Sequence, residues 1–384
     1  MKEGKQRVII IRSNDCRSDS RVIKEANCLN DSYDVELLVW NREKSQRRNQ
    51  QQIDCLGKMI MANQIHIKAE FGAGIKNIIP LVLFQIRELI FLISNRKKYD
   101  LYHACDFDTV LPAMICAKLF RKKIIYDIFD YYADDHSDSP LLYKSIKTVD
   151  NLCISLADAT IICTDERKKQ IKDANPTRLA IIHNSPPDES VNKKFFLSNK
   201  RIKVVYVGCL LDERFLKEQI EVISQLENVE LHIGGIGPLD KYVKECSAKF
   251  DNIIYYGKMK YEDVLSLESE ADILTAIYNP QILNNQYAAP NKFYEALMAG
   301  KPLVVIKNTG MDDYVSQYDM GKIIDYPNKD FSSEFKRAIM DISERIRLKQ
   351  IDSDKIRKIY DEKFSWNIMK ERLNKIYLEV ISDE

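Results

Sequence analysis

The sequence has 384 residues, the length of about two domains at ~150 residues each. Its 58 basic and 57 acidic residues give a formal net charge of +1, which argues against a nucleic-acid-binding protein. The composition, 45% hydrophobic and 30% charged, predicts a soluble globular protein, and the nine cysteines form no C-x-x-C pair and no zinc-type cluster, so we expect reduced thiols in the cytoplasm.

The chain opens with a strand–helix–strand pattern of the kind that starts a parallel sheet. Arg7–Arg12 and Val35–Trp40 are predicted strands, and Arg21–Leu29 between them is a predicted helix that Asp19 or Ser20 caps. The polar start, which runs directly into the first strand, predicts no signal peptide. The first loop lacks G-x-G-x-x-G, which argues against a simple dehydrogenase.

Residues 78–93 form one long apolar stretch. It is shorter than the ~20 residues of a membrane span, and Gln85, Arg87 and Glu88 interrupt it. We favour a largely buried helix of the first domain. The alternative is a helix whose apolar side touches a bilayer, with Arg96 and the two following lysines on anionic head groups.

The remaining strands of the first domain end in polar residues, at the edge where open α/β sheets hold ligands. Gln46–Gln52 is a predicted surface excursion. The predicted strands are Ile60–Ala69, Tyr99–Asp108, Lys123–Asp130 and Ala157–Cys163.

A polar, proline-containing tract up to residue 200 separates this pattern from a second one. We predict domains at 1–198 and 199–364. In the second domain, strands again alternate with helices, which predicts a second doubly wound parallel sheet. Its predicted strands are Lys203–Val207, Glu230–Gly234, Asn252–Tyr256 and Asp272–Ala276, and its predicted helices Phe215–Leu226 and Tyr261–Ser269.

The most informative stretch runs from Asn284 to Ile306. Pro290 suits the start of a helix, Gly300 suits the left-handed position after its end, and Leu303–Ile306 is an apolar run typical of a buried strand. The first helical turn presents N–H groups at the positive end of the helix dipole, which is a ready-made diphosphate site. The alternative is an ordinary helix–strand corner.

This stretch resembles the nucleotide-binding segment of retaining glycosyltransferases of family 4, which have the two-domain GT-B fold. There a P-N-K-x-x-E-x-x-x-x-G-K-P pattern holds the donor sugar nucleotide; here it comprises Pro290, Asn291, Lys292 and Glu295. The resemblance implies that Asn291 amides and Lys292 hold phosphate and that Glu295 binds the ribose. The family's second glutamate position is Tyr287, implied to line the sugar side.

Segments of the first domain resemble the same family. D-x-R-V-x-x-E-A occurs at residues 19–26, and the preceding loop faces the cleft in the family, which makes Asn14 and Arg17 acceptor-side candidates. An H-x-H-D segment places His103 and Asp106 near the transferred sugar, with a cysteine, residue 105, at the second histidine. Asp127, from a Y-D-x-H-E segment, orients the sugar or caps the next segment of the chain. His103 could instead be a strand-end histidine bonded to backbone.

In the family, cations after the first strand of the second domain clamp the leaving diphosphate. Gly208 occupies the turn, Cys209 stands at the family's arginine position and Arg214 at its lysine position. One well-placed arginine can still bind phosphate bidentately. Lys217 either assists or is a solvated helix lysine, and Gly235 provides a glycine turn at the same edge.

The C-terminal residues 363–380 predict an amphipathic helix that resembles the family's last helix, which crosses back to the first domain after an F-S-W segment. We therefore add 365–384 to the first domain. The alternative is that this segment is an ordinary C-terminal helix packed on the second domain.

The expected fold class is α/β, with two Rossmann-like doubly wound parallel-sheet domains facing a cleft.

The resemblance implies transfer of a sugar from a nucleotide-diphosphate sugar to a glycan or lipid-linked acceptor in cell-surface polysaccharide synthesis, with retention. It implies no metal and no cofactor, since helix amides and cations neutralise the diphosphate. The protein would be cytoplasmic, with peripheral contact to the inner face of the membrane as an option. The departures at Cys105, Cys209 and Tyr287 keep a non-catalytic nucleotide-sugar-binding subunit open, and the shared architecture keeps a sugar-nucleotide epimerase open.

Overall fold

The computed structural model describes residues 5–43, 49–70, 74–136, 139–188 and 201–382. The chain divides into two compact units. The first contains Met1–His183 and Met369–Glu384, and the second contains Asn184–Ile368. The domain bounds 1–198 and 199–364 stay predictions, because residues 189–200 lie outside the described part.

The first unit is built on an eight-stranded sheet with the order β3-β4-β2-β1-β5-β6-β7-β8. All neighbours are parallel except β3 and β4, which are antiparallel. The central strand β1 is buried from Val8 to Ile11, as expected for a parallel strand covered on both faces. Its strands are β1 Arg7–Arg12, β2 Asp34–Asn41, β3 Gln50–Cys55, β4 Lys58–His66, β5 Leu101–Cys105, β6 Lys123–Ile128, β7 Ala159–Ile162 and β8 Leu179–Ile181.

Four helices connect these strands. Three of the connections, β4 to β5, β5 to β6 and β6 to β7, run across the sheet in one direction, whereas β1 to β2 runs in the other. Because parallel crossovers are right-handed, the helices of those three connections lie on one face of the sheet, and the helix between β1 and β2 lies on the other. The helices are α1 Ser20–Leu29, α2 Ile78–Ser94, α3 Phe107–Phe120 and α4 Pro140–Leu156.

Two expectations for this unit are corrected. The structure pairs Gln50–Cys55 with β4, so this segment belongs to the sheet rather than to a surface excursion; residues 46–48 lie outside the described part. Helix α2 is not largely buried, since only Phe84, Glu88 and Leu92 are inside. None of the helices in the described part of the chain has the length and apolar character needed to span a membrane.

The second unit contains a six-stranded, all-parallel sheet with the order β11-β10-β9-β12-β13-β14. The predicted second doubly wound sheet is therefore confirmed. Its strands are β9 Ile202–Val207, β10 Val229–Gly234, β11 Ile253–Gly257, β12 Ile273–Ala276, β13 Leu303–Ile306 and β14 Gly321–Ile324. Its helices are α5 Leu216–Ser224, α6 Asp240–Lys249, α7 Tyr261–Ser269, α8 Asn291–Ala299, α9 Asp312–Tyr318, α10 Phe331–Arg347 and α11 Ser353–Ile359.

The last helix, α12 (Trp366–Ser382), is amphipathic as its spacing predicts. From Met369 onward it groups with the first unit, to which it contributes a buried stripe. The buried residues of this stripe are Met369, Leu373, Ile376, Tyr377 and Val380.

Candidate functional site

The second sheet has its topological switch point between β9 and β12, because the chain proceeds to β10 and β11 on one side and to β13 and β14 on the other. Ligands of open α/β sheets bind outside the carboxyl ends of the strands at this point. Gly208 directly follows β9, and Tyr278 lies two residues after β12. The switch point therefore lies next to Gly208, one of the predicted donor-binding residues.

Two glycine turns lie at this carboxyl edge of the sheet, one after β9 and one after β10. Gly208 and Gly235 both have positive φ, +155° and +125°. A Cβ on Gly235 would lie 1.8 Å from the carbonyl oxygen of Gly208, and a Cβ on Gly208 would lie 3.0 Å from Lys292 Nζ. The turn at Gly235 therefore has no room for a side chain, because it packs directly on the backbone of Gly208, and the ammonium of Lys292 lies beside Gly208.

Helix α8 starts and ends as its sequence predicts. Pro290 is the N-cap, and Gly300 is the left-handed C-cap at φ +66°, after which the chain enters β13. The proline provides no side-chain hydrogen bond to the first turn. Because α8 connects the parallel strands β12 and β13, its positive end, with Asn291 and Lys292 in the first turn, lies at the carboxyl edge of the sheet.

Two cations converge on one aromatic ring. Arg214 Cζ lies 3.7 Å from the centroid of the Tyr278 ring, and Lys292 Nζ lies 5.6 Å from the same centroid and 4.2 Å from that of Tyr206. Burial, and after it the charge of Arg214, lower the pKa of Lys292 to about 7. Two cations held together in a buried position favour the arrival of an anion.

Two buried carboxylates lie behind these cations. Glu295 is 4% exposed and accepts a 2.9 Å hydrogen bond from the hydroxyl of Tyr261. Glu268, on α7, is also buried, and burial followed by the charge of Glu295 raises the pKa of Glu268 well above its usual value. The Coulombic influence of both glutamates opposes the lowering of the Lys292 pKa. Glu295, Glu268 and Lys292 therefore influence one another electrostatically.

The predicted donor residues do not all join this group. Arg214 does, and also contacts Asn285 at 3.4 Å and Glu213 at 3.2 Å. Lys217 is half exposed and pairs with Asp212 at 2.6 Å, as expected for the solvated helix lysine. Tyr287 is half-buried at the end of a short turn, residues 283–287.

The first sheet has its own switch point between β1 and β5, where Arg12 meets Asp106. Asp106 caps α3 at a positive φ of 66° and accepts a 2.7 Å hydrogen bond from the Phe129 amide. Burial raises the pKa of Asp106 to about 6, although the charge of Arg12 lowers it. Asp106 is thus a mostly buried carboxyl group at the carboxyl edge of its sheet, held by Arg12 and the Phe129 amide.

The two acceptor-side candidates of the first loop differ in their surroundings. The side-chain amide of Asn14 donates to Asp19 at 2.9 Å, and its oxygen accepts from the Cys16 amide. Arg17 is exposed and donates to Gln51 at 3.0 Å. Asn14 thus organises the loop that precedes α1, and Arg17 is the more accessible of the two.

His103 and Asp127, predicted to face the sugar and the acceptor, are fully buried. His103 Nδ1 lies 2.6 Å from the hydroxyl of Tyr377, and Arg21 forms a bidentate pair with Asp127 at 2.7 and 3.2 Å. Burial raises the pKa of Asp127, but Arg21 and His103 outweigh it and hold that pKa below its usual value. Both side chains therefore lie away from solvent, and the partner of His103 Nδ1 is the hydroxyl of Tyr377 on α12 rather than the backbone. Their roles beside the sugar and the acceptor stay predictions.

In the described part of the chain, the side chains of Glu25, His103 and Asp127 lie close enough to hold a metal ion, with ligand atoms within 4.8 Å. Arg21 Nη2 pairs with Asp127 at 2.7 Å, and Arg21 Nε lies 3.1 Å from Glu25. Burial, and after it the charge of Asp127, raises the pKa of Glu25 well above its usual value. Because Arg21 already pairs with Asp127 and the burial of Glu25 disfavours its charge, this donor set fits an ion-pair network.

Sequence reasoning did not identify Tyr206, Tyr261, Glu268 or Tyr278. Each lies on a different strand, helix or loop from α8, and none has a spacing relation to its motif. The only signal was indirect: Tyr278 follows a strand that ends at the switch point. Of the cysteine departures, Cys105 is buried, whereas Cys209 is exposed in the turn after β9.

Comparisons with known proteins give one family match and several structures with a similar fold. Residues 188–352 match the family model described as Glycosyl transferases group 1. No curated protein sequence matches the chain. A sucrose-phosphate synthase from Thermosynechococcus elongatus aligns with 99% of this chain and 100% of its own, with a TM-score of 0.78 and 12% identity.

Two further solved structures are similar. HepE of Anabaena, in complex with UDP and glucose, has a TM-score of 0.69 and 14% identity, over 97% of this chain and 99% of its own. WaaG, a glycosyltransferase involved in lipopolysaccharide biosynthesis, has a TM-score of 0.67 and 12% identity, over 96% and 99%. At these identities the likeness establishes the fold: the chain has the two-domain GT-B fold of glycosyltransferases. The family match covers both glycine turns and α8.

Proposed function

We propose that this protein is a glycosyltransferase that moves a sugar from a nucleotide-diphosphate sugar to an acceptor, with retention of the anomeric configuration. The observation that carries the proposal is the convergence of Arg214 and Lys292 on Tyr278 beside the start of α8. Such a site offers two cations and helix N–H groups to the charge that develops on a leaving diphosphate. The match of residues 188–352 to glycosyl transferases group 1 supports it.

We assign the diphosphate to Arg214, Lys292 and the first-turn amides, and the ribose hydroxyls to Glu295. A carboxylate that already accepts from Tyr261 has lone pairs left for hydroxyl donors. In this assignment two side-chain cations neutralise the phosphates, so transfer proceeds without a metal ion. Full activity in the presence of a chelator is the expected result, and strict dependence on added Mg²⁺ or Mn²⁺ would contradict it.

The acceptor class that we propose is a glycan or a lipid-linked precursor of cell-surface polysaccharide, reached from the cytoplasmic face of the membrane. Asp106 and Arg17 are the first-unit candidates for that side, because both lie at or beside the carboxyl edge of the first sheet. A sugar nucleotide is also our proposed donor because HepE was solved with UDP and glucose.

A thermal-shift panel of nucleoside diphosphates and sugar nucleotides without metal tests the donor site. A ligand at a hundredfold over its dissociation constant should stabilise the protein by about 2.7 kcal/mol. Glu295→Ala should lower affinity by roughly 10- to 100-fold, the loss of a hydrogen bond to a charged group. Glu262→Ala, an exposed glutamate on α7, is the matched control and should bind like wild type.

Arg214→Ala and Lys217→Ala distinguish the arginine assigned to the diphosphate from the nearby solvated lysine. We expect Arg214→Ala to weaken the nucleoside diphosphate far more than the nucleoside, and Lys217→Ala to change neither by more than about twofold, since its partner Asp212 lies in solvent. Donor binding without transfer to any acceptor would favour the non-catalytic subunit. Equal binding by wild type and both Glu295→Ala and Arg214→Ala would refute the site.

A further inference from the structure

Helices α2, α3 and α4 present an apolar surface to solvent that the fold of the first unit leaves uncovered. Twenty large apolar side chains are exposed in the described residues, and thirteen of them lie on these three helices. They are between 37% and 84% exposed. They are Ile78, Ile79, Val82, Leu83, Ile86, Ile90, Leu111, Ile115, Leu119, Leu141, Leu142, Leu152 and Leu156.

These side chains form one surface. The crossover directions place all three helices on the same face of the sheet, and α2 packs against α3 and α3 against α4. Within α2, Ile79, Val82, Ile86 and Ile90 follow a three- and four-residue spacing on the side opposite to the buried Phe84. A contiguous apolar surface of this extent marks an interaction site, because soluble monomers rarely expose one.

The charges on the three helices are segregated by sign. All residues of these helices are described, and their acidic side chains are inside or engaged: Glu88 and Asp150 are buried, and Asp108 accepts from Ser13 at 2.9 Å. The exposed charges within these three helices are all basic, and three further exposed basic residues lie in the described residues beside their ends. Together they are Lys76, Arg87, Lys97, Lys118, Arg121 and Lys144. This contrasts with the whole chain, whose formal net charge is only +1.

We infer that this surface, which we call the α2–α4 face, docks on an anionic lipid bilayer. Apolar side chains that enter the interface and basic side chains that meet head groups are the two contributions to peripheral membrane binding. A second copy of the chain fits less well, since a twofold contact would place basic side chains against basic side chains. The inference specifies the surface and the lipid chemistry of the membrane contact within the proposed function.

Vesicle flotation tests the apolar contribution. The wild type should float with vesicles of phosphatidylcholine and about one third phosphatidylglycerol. We expect Ile79→Asn with Ile86→Asn to lower the partition coefficient at least tenfold. Leu348→Asn with Leu378→Asn, a matched pair of exposed leucines outside the face, should float like wild type.

A separate pair of substitutions tests the contribution of the basic side chains to membrane binding. Lys118→Gln with Lys144→Gln should weaken binding to anionic vesicles by roughly fivefold per lysine and leave binding to pure phosphatidylcholine unchanged. Lys241→Gln with Lys358→Gln, two exposed lysines of the second unit, is the control. Because all these sites are exposed, circular dichroism and melting should match the wild type.

Three results would overturn the inference: no flotation of the wild type, equal loss in face and control pairs, or a dimer in solution that Ile79→Asn with Ile86→Asn dissociates. Nucleotide thermal shifts measured on the same variants distinguish a failure of membrane docking from a failure of nucleotide binding. The donor residues all belong to the second unit, so a failed flotation with an intact nucleotide shift rejects only the docking face.

Discussion

Lys292 should couple donor binding to proton uptake above neutral pH. The pKa of this lysine is lowered to about 7, first by burial and then by the charge of Arg214. Near pH 8 the free protein therefore holds Lys292 mostly uncharged. A diphosphate next to both cations favours the charged ammonium, so the complex should regain the proton.

The size of the effect follows from the titration. Above pH 7 each further pH unit lowers the protonated fraction of free Lys292 by about tenfold. Affinity for a nucleoside diphosphate should fall by up to the same factor per unit until the pKa in the complex is reached. A terminal phosphate, with a pKa of about 6, changes its charge little in this range. Below about pH 6 the dependence from Lys292 should vanish.

Isothermal titration calorimetry measures both quantities. Titrations at pH 7, 8 and 8.5 in two buffers of different ionisation enthalpy give the dissociation constant and the number of protons taken up, which should approach one. Lys292→Arg keeps its charge throughout and should bind with a flat pH profile. Lys301→Gln, which removes another buried lysine with a lowered pKa, should retain the wild-type slope.

The same lysine gives a signed effect on stability. Its folded pKa lies below the ordinary value of 10.5, so its cost to the folded state is fully present below pH 7 and is relieved as the pH rises toward 10.5. Relative to Lys292→Gln, the ligand-free wild type should gain stability over that range. An affinity that is constant from pH 7 to 8.5, with no proton uptake, would refute this account of the site.

Two substitutions test contacts that stabilise the fold near the candidate site residues: the close approach of Gly235 to Gly208 and the buried ion pair of Arg21. Gly235→Ala should destabilise the second unit by roughly 2–5 kcal/mol, because its Cβ would overlap the carbonyl of Gly208 and its φ is strained for alanine. Arg21→Met should cost roughly 3–5 kcal/mol at pH 7, because it leaves the buried carboxylate of Asp127 without its cation. That cost should shrink as the pH falls, since Asp127 in the variant then takes up a proton and loses the charge that needed a partner.

Urea unfolding at pH 7 and pH 5 measures both effects, each with a matched control. Gly257→Ala places alanine at φ +67° with no atom within 4 Å, so it should cost only the backbone strain of roughly 1–2 kcal/mol. Arg7→Met removes an exposed pair with Asp34 and should change stability by less than about 1 kcal/mol. If Gly235→Ala matches Gly257→Ala, or Arg21→Met matches Arg7→Met, the corresponding contact is not what stabilises the fold.

Local signals in the sequence predicted local structure well. Strand β1 lies at Arg7–Arg12 as expected, and α8 has Pro290 at its start and Gly300 at its end. Proline and glycine constrain the backbone by themselves, so their positions transfer directly to the fold. The position of Asn291 and Lys292 in the first turn of α8 was predicted because they directly follow Pro290.

Long-range neighbours were beyond such signals. Tyr377 lies 274 residues from His103 in the chain, yet it covers the histidine that the strand pattern left at an open edge. The exposed side of α2 was only the alternative to a buried helix, because a run of apolar residues does not reveal whether its outer face meets protein or solvent. Tyr278 joined the donor site only through the order of the strands, which no single segment encodes.

The grouping of Met369–Glu384 with Met1–His183 means that the second unit is, in sequence terms, inserted into the first. The second unit is continuous along the chain, so on the ribosome it can complete its fold while the first still lacks its closing helix. The buried stripe on α12, with Leu373 and Tyr377, is synthesised after every other part of that core. Until then the first unit exposes apolar surface, and its folding carries the large loop-closure cost of joining segments from both ends of the sequence.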